Sequence, residues 1–123
     1  MKLYHYEKEA GLTEKDFYWD QDGMPGDERH EMWRKQREEY GFDEREIWDL
    51  KIVISAFLFP RLRMFAGSFN SYPLGLTPLS WTEAVDKMAH AFERIAKNDS
   101  EDQWEEVEEG LDLFRKYFFH LWD

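Results

Sequence analysis

Ser80 to Asp99 reads SWTEAVDKMAHAFERIAKND, and Ser100 to Trp122 reads SEDQWEEVEEGLDLFRKYFFHLW. In the first stretch Trp81, Val85, Met88, Phe92 and Ile95 recur at spacings of 4, 3, 4 and 3, which stacks them on one face of an α-helix. In the second, Trp104, Val107, Leu111, Phe114, Phe118 and Leu121 recur at 3, 4, 3, 4 and 3. Leu113, Tyr117 and Trp122 flank that stripe and widen it enough to meet two neighbours. Ser80 with Glu83 has the spacing of a capping box, Asn98 and Asp99 end the first helix, and Ser100 with Gln103 repeats the capping spacing. Two helices with matching stripes and a short turn predict an antiparallel helix hairpin.

Working outward, residues 67–79 form a loop rich in Gly, Ser, Asn and Pro. Before it, residues 52–59 are apolar nearly all round, so a helix starting after Asp43 or Asp49 and ending at Ala66 is expected to be central, surrounded by the others. Pro60 lies inside it and must kink or split it. A buried strand over 51–59 is the alternative, because β-branched and aromatic residues crowd there. A further helix is predicted from an Asp27 cap to Gly41, with a thin apolar face of Met32, Trp33 and Tyr40. Residues 1–26 have no sustained period and contain the turn Gly23-Met24-Pro25-Gly26. Their rings, Tyr4, His5, Tyr6, Phe17, Tyr18 and Trp19, predict an irregular arm packed on the body or on a partner. The expected whole is an all-α small helical bundle: an arm over 1–26 and a helical domain over 27–123, with a kinked central helix and a C-terminal hairpin.

At 123 residues, one compact domain is the expectation. Forty-two per cent hydrophobic residues, with six Trp and ten Phe, are too many for a disordered acidic chain to leave in water. Without cysteine there is no disulfide, thiolate chemistry or Cys-ligated metal. Met1–Ala10 lacks the apolar core of a signal peptide, and the run Ile52–Pro60 is half the roughly 20 residues a membrane span needs. A soluble cytoplasmic protein with no membrane contact is therefore expected.

The net charge is −11, and it is unevenly spread. Residues 1–50 hold 8 basic and 15 acidic side chains, residues 51–79 hold 3 and none, and residues 80–123 hold 5 and 12. Glu101, Asp102, Glu105, Glu106, Glu108 and Glu109, with Asp112, crowd into three turns. One reading is a solvated face that keeps an aromatic-rich protein in solution. The other is a surface that meets a partner protein of basic surface. Direct nucleic-acid binding is disfavoured, because only Lys51, Arg61 and Arg63 stand clear of acids.

Asp86, His90 and Glu93 share a helical face and offer three hard metal ligands, but Lys87, Arg94 and Lys97 surround them, and a solvated mixed-charge face explains them better. Asp112 and His120 lie two turns apart and lack a third catalytic group. Asp20-Gln21-Asp22-Gly23 begins like a calcium loop, yet Asp27 and Glu28 come too early for twelve-residue spacing. No phosphate-cradling or nucleophile-elbow motif is present. No cofactor is expected, and a non-enzyme is the favoured class. Arg61 and Arg63, followed by a loop with Phe69, Asn70 and Tyr72, read either as a site for a carboxylate, phosphate or partner, or as braces to the acidic hairpin.

Gly41-Phe42-Asp43, Trp48, Pro60-Arg61-Leu62, Tyr72-Pro73-Leu74-Gly75-Leu76-Thr77, Trp81, Ala91-Phe92-Glu93, Glu109-Gly110-Leu111-Asp112-Leu113-Phe114 and Lys116-Tyr117-Phe118 form a pattern over about 42–122. The pattern resembles a group of small acidic proteins encoded by tailed phages and prophages. The resemblance implies a viral setting in an infected bacterial host, and no particular chemistry. By analogy with that setting the expected function is non-enzymatic binding of a host or defence protein, as an acidic inhibitor of one that handles nucleic acid. The alternatives are a structural or homo-oligomeric accessory of the phage particle or replication machinery, burying Trp122 and Tyr117, and a small metal- or nucleotide-binding enzyme.

Overall fold

The computed structural model describes residues 12, 14–21 and 26–122. Among them are four α-helices and no strand: α1 over Arg29–Tyr40, α2 over Leu50–Ala66, α3 over Pro78–Ala96 and α4 over Trp104–Tyr117. Short 3-10 turns at Glu14–Asp16, Tyr18–Asp20, Glu44–Ile47, Glu101–Gln103 and Phe118–His120 join or flank them. The all-α bundle and its C-terminal hairpin form as expected. The strand alternative over 51–59 is overturned, since Leu50–Ala66 is one continuous helix of 17 residues that carries on through Pro60, a helical length and not a strand's. Pro60 is accommodated inside the unbroken α2, and the Arg61 guanidinium donates to the Phe57 carbonyl at 2.8 Å one turn back.

The middle position belongs to α3 rather than to the more apolar α2. Trp81, Ala84, Val85, Met88, Ala89, Ala91, Phe92 and Ala96 are all buried, and α3 packs against α2 on one flank and α4 on the other. Four alanines let two neighbours approach α3 closely at once, because interaxial distance follows the side chains at the contact. On α2 the buried residues Ser55, Ala56, Phe59, Leu62 and Ala66 share one side, and the opposite side carries exposed Leu50, Ile54 and Phe57. Hydrophobic composition set how much of α2 favours burial and not how much finds a partner.

The crossing of α3 and α4 depends on Gly110. A methyl group there would overlap the Ala91 Cβ and the Lys87 carbonyl oxygen. Rings extend the contact, with Trp81 edge-on to Phe65 at 6.2 Å and to Tyr117 at 5.4 Å, and Phe92 edge-on to Phe114 at 5.0 Å. The stripe of α4 frays at both ends, since Trp104 and Phe118 are exposed and the helix gives way to a 3-10 turn after Tyr117.

Helix starts differ from the expected capping pattern. Thr77 caps α3, and its side chain and that of Ser80 exchange bonds with each other's backbone N–H, so Ser80 closes the box instead of opening one with Glu83. Pro78 sets this start, because its fixed φ suits the first helical position and its missing N–H costs nothing there. Ser100 has helical dihedrals and makes no side-chain cap, and the amide oxygen of Gln103 lies 3.1 Å from His90 Nε2. The chain between the helices reverses at Asn98, which adopts φ 57°, a conformation asparagine tolerates. The N-cap of α1 is Glu28, which makes no side-chain cap bond, rather than the expected Asp27, whose carboxylate lies one residue earlier and accepts from the Arg29 N–H; Gly41 closes that helix with φ 81°, as the sequence suggested. Asp43 caps the 3-10 turn Glu44–Ile47 in a reciprocal box with Glu46, and α2 itself begins after Asp49, which makes no side-chain cap bond.

The described part of the arm packs on the body. Trp19 is buried in the core and stacks on Phe17 at 4.7 Å. Arg45, itself buried, donates to the carbonyls of Tyr18, Trp19 and Gln21 and to both carboxylate oxygens of Asp43. Trp33, the buried residue of α1, lies under that guanidinium with 4.3 Å from its ring centroid to Cζ, and its indole donates to Glu44. Tyr4, His5 and Tyr6, the turn residues Gly23, Met24 and Pro25, and Asp22 of the calcium-like stretch lie outside the described residues.

Candidate functional site

The conspicuous surface is the outer side of α4. Its sequence places Val107, Gly110, Leu111, Phe114 and Tyr117 toward α3, so Glu105, Glu108 and Asp112 face away at one-turn intervals, with Glu106 and Glu109 at the edges nearer α3. Glu101 and Asp102 continue the run in the turn that precedes the helix. Not all of these carboxylates are alike. Glu109 accepts from Lys87 at 2.7 Å and Glu106 meets His90 Nε2 at 2.8 Å, both across the gap to α3. Glu101, Asp102, Glu105, Glu108 and Asp112 are exposed and have no cationic partner among the described residues. Arg115 and Lys116, in the last turn of the helix, leave an acid-to-base order along α4 that also suits its dipole.

Between that face and α2 lies a shallow groove of about 530 Å³ over the exposed ridge of α3, lined by Arg63, Asp86, Lys87, His90, Gln103, Glu106 and Glu109. Arg63 reaches in from α2, 3.0 Å from Glu93 and 3.9 Å from Asp86, while Glu106 and Glu109 reach in from α4. Burial pushes the Asp86 carboxyl up and the Arg63 charge only partly opposes it. Lys87 is held above the usual lysine value by its hydrogen bond to Glu109. The groove is internally compensated, with each cation beside an anion of the neighbouring helix.

The three residues that could have ligated a metal are drawn apart. Glu93, expected on a solvated face, is buried, and it accepts from Arg63 and from Lys97 at 3.1 Å. Burial raises its pKa, but those two hydrogen bonds outweigh burial and hold it below the usual carboxylate range. His90 instead turns to Gln103 and Glu106, and no group of three such ligands occurs among the described residues. Asp112 and His120 are both exposed, on α4 and in the turn after it.

Arg61 and Arg63 do not act together, because residues two apart on a helix point to different sides. Arg63 braces α2 to α3. Arg61 stays exposed, lies 3.8 Å over the Phe57 ring and pairs with Glu14 of the arm at 3.3 Å. Tyr72 is exposed in the loop, and Phe69 packs on Phe65. Of the residues proposed for oligomer contact, Trp122 is exposed, but Tyr117 is engaged with Trp81.

Two features were not legible as sites. Asp43 and Arg45 are separated by one residue among many charges, and nothing in their spacing announces that Arg45 gathers carbonyls 24 to 27 positions away. The exposed apolar side of α2 was hidden by the assumption that an all-apolar helix is enclosed; the surplus itself was the signal. No protein-family model, curated protein or solved structure matches this chain.

Proposed function

We propose that this protein is a non-catalytic binding protein whose α4 face engages a partner of basic surface, and that it acts in an infected bacterial host as a phage-encoded inhibitor of a nucleic-acid-handling protein. One observation carries the reading. Arg63 of α2, Lys87 and Arg94 of α3 and Lys97 just after it are engaged with Asp86, Glu93, Asp99 and Glu109, which leaves Glu101, Asp102, Glu105, Glu108 and Asp112 exposed without an ion-pair partner among the described residues, with Arg115 and Lys116 bounding the α4 face. Such a row raises the encounter rate with a cationic surface and repels nucleic acid. The phage setting rests on the sequence resemblance alone.

The oligomeric-accessory reading is favoured by a different observation, the exposed apolar residues of α2 and of the C-terminal turn. Affinity purification of the tagged chain from bacterial lysate, at low salt and at about 0.5 M, where the Debye length is about 4 Å, separates the two. Capture of a basic protein that is lost at high salt supports the binding reading; salt-insensitive recovery of the chain alone supports the accessory.

A further inference from the structure

The outward side of α2 is a half-exposed apolar stripe, on which Arg61 lies over the Phe57 ring and Tyr18 and Trp33 pack on Trp48 at 6.1 Å. Leu50, Ile54 and Phe57 are 51%, 45% and 47% exposed, and Ile47 and Trp48, in the turn that leads into the helix, are 62% and 55% exposed. Spacings of four and three place Leu50, Ile54 and Phe57 on one line, and Arg61 closes it four residues later. Together the five apolar residues expose on the order of 500 Å², near the upper end of what a monomer carries in one patch.

We propose that this stripe is the interface of a homodimer in which α2 pairs antiparallel with α2 of a second copy about a two-fold axis at Ile54. Charge selects where a second copy can approach. Net charge −11 keeps two molecules apart wherever their carboxylates face, and residues 51–79 are a stretch with no acidic residue. Self-complementarity argues for the antiparallel arrangement, because a two-fold interface must fit itself. With the axis at Ile54, Leu50 meets Phe57 of the other copy, and Arg61 of each copy, which in its own chain lies over Phe57 and pairs with Glu14, comes to the Ile47–Asp49 end of the other, beside the Asp49 carboxylate that Lys51 meets at 3.0 Å. Opposed helix dipoles add to this. Twice this patch is about 1,000 Å², which with Tyr18, Lys51 and Arg61 at the rim reaches the lower bound of a specific interface. Because α3 separates α2 from α4, the dimer leaves both acidic faces open, and the inference does not depend on what they bind.

The chain has no cysteine, which makes the test clean. Ile54→Cys, on the axis, is expected to form an intermolecular disulfide under mild oxidation, and Glu105→Cys on α4 is not. Sedimentation of the untagged chain at tens of micromolar is expected to give twice the chain mass, and Ile54→Asp and Phe57→Glu to weaken association at least tenfold. Unchanged circular dichroism and melting in these variants shows that the fold is retained, and both sites are half exposed. A monomer at every concentration overturns the proposal. So does a dimer indifferent to both variants, which would place the contact at Phe118, Phe119 and Trp122. So does a monomeric Ile54→Cys variant whose thiol is shielded from reagent until residues 1–11 are removed, which would assign the stripe to the chain's own N-terminal segment.

Discussion

Arg45 joins the arm to the helices. Its side chain is 4% exposed and that of Asp43 is 0%, so removing Arg45 leaves the buried carboxylate with Arg37 alone, and removing Asp43 leaves the buried guanidinium with neutral carbonyls only. Arg45→Met is expected to destabilise the protein by about 3–5 kcal/mol and to expose Trp19, read by urea unfolding and the tryptophan emission maximum. Gly110→Ala poses a steric question against a propensity one. Alanine gains about 1 kcal/mol as a helix former, but its methyl group meets a backbone carbonyl and another Cβ that cannot swing aside. Sterics should prevail, with a net loss of about 1–3 kcal/mol and a lower melting temperature. Neither residue was prominent in the sequence. A glycine inside a helix and an arginine among sixteen bases acquire meaning only when another segment is laid against them.

At the scale of elements, periodicity identified the hairpin well and ranked the helices badly. The stripe from Trp81 to Phe92 is buried as its spacing requires, because a 3.6-residue period has one interpretation on a helix. The order of the helices was not legible, since it depends on which helix has small residues on two sides, and the alanines of α3 outrank the bulk of α2. Capping shows the same limit. Thr77-Pro78-Leu79-Ser80 and Ser80-Trp81-Thr82-Glu83 overlap, and Pro78 decides between them. Thr77→Ala should therefore cost about 0.5–2 kcal/mol in thermal unfolding, while Ser100→Ala should stay within about 0.5 kcal/mol. Equal losses would contradict the assignment of the caps.

For the whole molecule, acid stability follows from two carboxylates. Asp43 and Glu93 are pushed up by burial but held net below their ordinary values by Arg45 and Arg37 in one case and Lys97 and Arg63 in the other. Their contribution is fully present above the unfolded values of about 3.9 and 4.3 and is lost as pH falls through the lower folded values. Asp86, raised by burial, works in the opposite sense and blunts the effect. Urea midpoints between about pH 6 and pH 2 should drop below pH 4, and Asp43→Asn should flatten that fall while lowering stability near neutrality.

The distribution of charge is the other property of the whole. Segment totals from the sequence showed an acid-free centre between acidic ends, but which carboxylates stay unpaired depends on helix packing. Lys87 and His90 engage Glu109 and Glu106 and leave Glu105, Glu108 and Asp112 outward. Capture from bacterial lysate by the native chain and by the variant Glu105→Lys/Glu108→Lys/Asp112→Lys, matched in circular dichroism, tests the role of this face most directly. A basic protein retained by the native chain at low salt and absent from the variant is the expected result. Equal retention by both would contradict it.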